Sequence, residues 1–165
     1  MRVSRLCSFG LMKKTILLID DEPRFCRSLS LLLEAEGFCV NAVHSGRKGE
    51  SALRETDYHG VILDMGLPDM SGTVLARHIV ERYPETAVII LTGENDAEKG
   101  LAAFRLGVFD YLIKPCDPEH LIRILHRALQ QKHSERNLRD AYDIINLSPA
   151  IAFLWRKEDG WPVEF

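Results

Sequence analysis

Residues 16–23 read Ile-Leu-Leu-Ile-Asp-Asp-Glu-Pro, or ILLIDDEP. Four consecutive apolar residues end in two acids, and the proline that follows suits the first turn of a helix. A run that is continuously apolar, with no alternation, fits a strand covered on both faces, so it belongs inside a parallel sheet. Outward from it, four more runs of similar character occur at 38–43, 60–63, 86–91 and 108–113. Helix-like stretches separate them. Phe25, Leu29, Leu32 and Leu33 repeat at helical spacing, and Gly37 stands where a helix would stop. Stretches 47–55, 72–83 and 95–106 behave alike, the last with Gly107 as its stop. Five such βα units predict an α/β fold: a doubly wound, five-stranded parallel sheet with helices on both sides.

What ends each strand carries the chemistry. Asp20 and Asp21 follow the first run, Asp64 the third, Thr92 the fourth and Lys114 the fifth. In a parallel sheet these ends share one edge, which is where open α/β sheets bind ligands. The second run ends at His44-Ser45; in the order 2-1-3-4-5 that strand lies at the sheet edge, and its end need not reach the site. Three carboxylates close together repel one another unless a cation joins them. Mg²⁺ relieves the repulsion with one or two carboxylates, water and a phosphate oxygen. Lys114 then supplies a point charge and Thr92 a hydroxyl for phosphoryl oxygens. Any one of these residues alone reads as a cap, a turn former or a surface lysine. Their joint occurrence at four strand ends is the informative fact.

The segments ILLIDDEP, VILDMGLPDMSG, VIILTG and VFDYLIKP, beginning at Ile16, Val61, Val88 and Val108, resemble the receiver domain of response regulators in order and interval. The resemblance covers residues 14 to about 127 and implies a flavodoxin-like strand order 2-1-3-4-5. It implies Asp64 as the phosphoacceptor and Asp20, Asp21, Asp64 and the main-chain carbonyl of Gly66 as Mg²⁺ ligands. It further implies Thr92 as the switch hydroxyl, Tyr111 as the aromatic that turns inward, Lys114 as the phosphoryl partner and a cis peptide before Pro115. Gly93 departs from the family's usual alanine without removing a functional group. The expected function is that of a two-component phosphoacceptor, loaded by a histidine kinase or phosphotransfer protein. Two competitors are a receiver that signals by contacts alone and an aspartyl-phosphate phosphatase. The latter places its nucleophile after the first strand in a D-x-D pattern, which the adjacent Asp20-Asp21 pair does not match.

Composition narrows the partners. With 24 acidic against 21 basic residues, the formal charge of −3 and the lack of a basic block disfavour nucleic acid. Cys7, Cys26, Cys39 and Cys116 lack the spacing of a zinc site or disulfide scaffold and read as reduced, cytoplasmic packing residues. No stretch approaches the roughly 20 apolar residues of a membrane helix. A "HSERN" stretch at His133 is too short a match to a kinase histidine box, and no nucleotide-binding glycine loop occurs.

The expected organisation has four parts. Residues 1–12 form a leader or precede the natural start at Met12. Residues 13–130 form the receiver and 131–147 a helical linker. Leu121, Ile124, Ala128, Gln131, Glu135, Leu138, Tyr142 and Ile145 fall at coiled-coil spacing. That pattern suits either a homodimer seam or a terminal helix that packs on the sheet through its first turns only. Residues 148–165, apolar and aromatic with an Asp159-Gly160 turn, resemble the opening of a PAS sensor domain, as in a piece of a longer protein.

Overall fold

The structure is a computed structural model and describes residues 13–93 and 106–147. The leader, all but the last residue of the expected helix at 95–106, and the PAS-like stretch at 148–165 lie outside the described residues. In chain order the elements are β1 (Thr15–Ile19), α1 (Pro23–Ala35), β2 (Cys39–Val43), α2 (Gly46–Glu55) and β3 (Gly60–Asp64). Then come α3 (Gly72–Arg82), β4 (Ala87–Thr92), β5 (Asp110–Ile113) and a long helix, α4 (Pro118–Leu147). The strands form one sheet in the order β2-β1-β3-β4-β5, every pair parallel.

Helix boundaries follow local chemistry. Pro23 occupies the first turn of α1, whose buried Cys26, Leu29 and Leu33 lie at spacings of three and four. Gly37 turns the chain after α1 at φ +90°, and Gly107 adopts +85° before β5; both conformations favour glycine because a Cβ would clash. Ser45 caps α2 by accepting from the Lys48 amide.

Strand residues alternate between two cores. Ile16, Leu18, Ile62, Ile89 and Leu91 face the cluster containing Leu29 and Leu33 of α1 and Leu121, Leu125 and Leu129 of α4. Leu17, Ile19, Val61, Leu63, Val88 and Ile90 face the cluster containing Leu53 of α2 and Leu75 and Ile79 of α3. Apolar burial on both faces is the main stabilising contribution and explains the unbroken apolar runs.

Some edges differ from expectation. β2 begins at Cys39 and β5 at Asp110, later than the apolar pattern suggests, because Phe38 and Val108 belong to the cores without joining the ladder. Thr86 precedes β4, and its hydroxyl donates to the Tyr58 carbonyl at 2.8 Å. Asp64 and Thr92 are the last residues within their strands, not the first beyond them.

In α4, Leu121, Ile124, Leu125, Ala128 and Leu129 are buried. Beyond Gln131 the same helix carries Leu138 and Tyr142 at 72% and 70% exposure. No helix among the described residues is long and apolar enough to cross a membrane.

Candidate functional site at the carboxyl edge of the sheet

Strand register assembles the site. Ile19 pairs with Leu63, so Asp20 comes level with Asp64. Asp64 pairs with Leu91, and Leu91 with Leu112. Lys114 thus starts two residues past the acids, roughly 6 to 7 Å along the strand. A lysine side chain is long enough to reach back across that gap.

It does so. Lys114 Nζ donates to Asp20 Oδ2 at 2.6 Å and pairs with Asp64 Oδ2 at 3.2 Å. Asp20, Asp21 and Asp64 each offer a carboxylate oxygen, all within 4.8 Å of one another. Asp20 and Asp64 are buried, whereas Asp21 is exposed and keeps the cluster open to water. The other oxygen of Asp20 accepts from the Glu22 amide at 2.9 Å, and Asp64 Oδ1 accepts from the Gly66 amide at 3.3 Å.

Three carboxylates therefore face one ammonium. Burial lifts the Asp20 carboxyl above its ordinary range, although the hydrogen bond from Lys114 and the Glu22 amide pull it back. Burial works on Lys114 in the opposite sense, and its bonds to Asp20 and Asp64 overcome it, so the ammonium is held more firmly than that of a free lysine. A hard divalent cation suits this donor set of oxygens and removes the residual repulsion.

Strand alternation divides the remaining expected residues. Thr92 is two residues beyond Ile90, on the side of α2 and α3, and Tyr111 packs half-buried on that same cluster. The Thr92 hydroxyl is fully buried and donates to the Gly93 carbonyl at 3.3 Å. The structure thus brings Asp20, Asp21, Asp64 and Lys114 together, with the Gly66 amide beside them. Thr92 and Tyr111 lie on the other side of the sheet edge. The Lys114-Pro115 peptide is cis, as the resemblance implied.

The chain matches the family model described as "Response regulator receiver domain" over residues 16–126. The chain belongs to the response regulator receiver family. This receiver is 35% identical over 119 residues to the transcriptional regulatory protein YkoG of Bacillus subtilis, covering 72% of this chain and 52% of YkoG. It is 30% identical to the regulatory protein AtoC of Escherichia coli, covering 81% of this chain and 29% of AtoC. The chain thus spans about half of one relative and under a third of the other. A crystal structure of a receiver domain protein from Clostridium thermocellum superposes with a TM-score of 0.70 at 34% identity, covering 73% of this chain and 97% of that one. The receiver is accordingly a signalling domain of the two-component class, a family that works with histidine kinases or phosphotransfer proteins and with output domains.

Several neighbours of the site were not legible in the sequence. Just past β2, His44 places its Nδ1 3.1 Å from the Asp20 main-chain oxygen, beside the acid cluster. The Asp20 amide donates to the Val43 carbonyl and so continues the β1–β2 pairing up to that point. Cys26 Sγ donates to the same Asp20 oxygen at 3.4 Å. Asp69, in the loop after β3, accepts from the Gly46 and Arg47 amides at 2.8 and 2.9 Å and so ties that loop to the start of α2. Those bonds hold its carboxyl below the usual range. An Asx after a strand is a turn signal, but nothing in its spacing points to a helix 22 residues earlier.

Proposed function

We propose that this receiver takes a phosphoryl group on Asp64 from a histidine kinase or phosphotransfer protein and passes the change to a downstream module. The observation that carries this reading is the convergence of three Asp carboxylates with Lys114, which touches two of them, at the strand ends. An Asp64 carboxylate oxygen attacks phosphorus in line, the bond from phosphorus to the donor imidazole nitrogen breaks, and the imidazole leaves with that electron pair. Lys114 neutralises charge on the transferring oxygens, and the Gly66 amide orients the Asp64 carboxylate.

Asp20, Asp21, Asp64 and the Gly66 carbonyl are the groups that would hold Mg²⁺. When bound, such an ion supplies charge neutralisation between the acids and the phosphoryl oxygens. Thr92 and Tyr111, on one side of β4 and β5, are the proposed switch pair: the hydroxyl leaves the Gly93 carbonyl for the phosphoryl group, and the ring moves into the space released. Slow hydrolysis of the acyl phosphate resets the domain, which is the extent of its enzymology.

We assign the receiver to residues 13–130, a linker to 131–147 and a PAS-like start to 148–165, in a cytoplasmic protein without nucleic-acid or membrane contacts of its own. Support comes from the division of the chain between Gln130 and Gln131 and from the exposed Leu138 and Tyr142, which suit a homodimer seam. Titration with beryllofluoride and Mg²⁺ tests the reading. Saturable, Mg²⁺-dependent binding by wild type but not by Asp64→Asn supports it, and equal binding by the two proteins refutes it.

A further inference from the structure

The Lys114 ammonium has a third partner. Its Nζ stands 4.7 Å from the centroid of the Phe25 ring. Phe25 is half-buried on α1 and packs against the core cluster beneath the site. Two directions of the ammonium are taken by Asp20 and Asp64, and its side chain is only 19% exposed. An aromatic face, negative at its centre, attracts a cation and at the same time denies that side of it to water. The apolar stripe of α1 does not itself require an aromatic at this position.

We propose that Phe25 is a positioning residue for Lys114 in the phosphoryl transfer to Asp64, an inference that rests on the reading given above. Asp20 belongs to the acid cluster, so its hold on the amine is shared with whatever cation the cluster takes. The ring's hold competes with no ligand of the cluster. Phe25 therefore keeps the ammonium over the Asp64 carboxylate and narrows the positions it samples. An oriented donor contributes more to transfer than a mobile one, because its reorganisation is already complete.

The test compares wild type, Phe25→Leu, Phe25→Tyr and a chain with trifluorophenylalanine at position 25, which keeps the ring's size and cancels its negative face. Two quantities are read: the rate of phosphorylation by acetyl phosphate with Mg²⁺, and the proton shift of the Lys114 ε-methylene. Leucine and the fluorinated ring are expected to slow phosphorylation roughly 2- to 10-fold, with tyrosine within about 2-fold of wild type. The ε-methylene should be shifted upfield by the ring current in wild type and in Phe25→Tyr, and lose that shift in Phe25→Leu. If Phe25→Leu fails to fold, the fluorinated chain decides alone. Wild-type rates in the fluorinated chain, or equal slowing by tyrosine and leucine, overturn the inference while leaving the phosphoacceptor reading intact. A wild-type protein that acetyl phosphate never modifies and that binds no beryllofluoride with Mg²⁺ overturns the reading and the inference together.

Discussion

Lys114 Nζ lies 2.6 Å from a carboxylate oxygen of Asp20, a residue 94 positions earlier in the chain. The bond joins the two ends of the receiver across three intervening strand pairings, β1 with β3, β3 with β4 and β4 with β5. It also sets a competition, because the same carboxylate belongs to the acid cluster.

Removing the lysine separates the two roles. Lys114→Ala leaves the three carboxylates without the ammonium that pairs with two of them, so Mg²⁺ affinity should rise several-fold in calorimetric titration. Phosphorylation by acetyl phosphate should meanwhile fall by about 10²-fold or more, the scale for losing one preorganised charge donor. Weaker Mg²⁺ binding in this variant would contradict the described competition.

Gly72 sits where a side chain cannot. A Cβ there would stand 2.7 Å from the Met65 Cα and 3.0 Å from the Asp64 carbonyl, both backbone atoms that cannot swing aside. Gly72→Ala should cost about 1–3 kcal/mol in urea denaturation and slow phosphorylation, since the displaced segment carries Asp64. Among the described residues, nothing lies within 4 Å of a Cβ placed on Gly93. Gly93→Ala should therefore stay within about 0.5 kcal/mol of wild type.

The long helix should divide energetically. Leu125 is fully buried in the core on the α1 side, and Leu125→Ala should destabilise by about 2–5 kcal/mol. Leu138 is 72% exposed, so Leu138→Ala should leave monomer stability nearly unchanged and alter only self-association in sedimentation. A chain ending at residue 130 should unfold in one transition close to that of the full chain.

Cys26 should resist alkylation. Burial pushes its thiol up to about 12, with the Asp20 carboxylate adding to the effect. At pH 8 almost none is thiolate, and the group is 1% exposed. Iodoacetamide followed by peptide mapping should modify Cys26 only in denaturant. The sign for stability follows: the thiol contributes no pH dependence below its ordinary 9.0, and folding weakens as pH climbs from there toward about 12.

Much of this architecture was legible before any coordinates. Unbroken apolar runs such as Ile16–Ile19 mark strands covered on both faces, and Asp20, Asp64, Thr92 and Lys114 at their ends mark the shared edge. Pro23, Gly37 and Gly107 announce chain turns because their backbone preferences are local. The contacts of Phe25, His44 and Asp69 were not legible. Each depends on tertiary geometry: a ring facing an amine, an imidazole beside the Asp20 main-chain oxygen, and a loop carboxylate accepting from the amides of a distant helix. The spacing of Leu138 and Tyr142 leaves seam and solvent-facing helix equally compatible, since heptad periodicity describes a face and not its partner.

Asp64 is the proposed carrier of the phosphoryl group. Incubation with acetyl phosphate and Mg²⁺, reduction of the acyl phosphate with borohydride and tandem mass spectrometry report the modified residue directly. The expected result is homoserine at position 64, dependent on Mg²⁺ and lost in Asp64→Asn. Homoserine at position 20 or 21 instead, or an unmodified chain under conditions that phosphorylate another receiver, would contradict it.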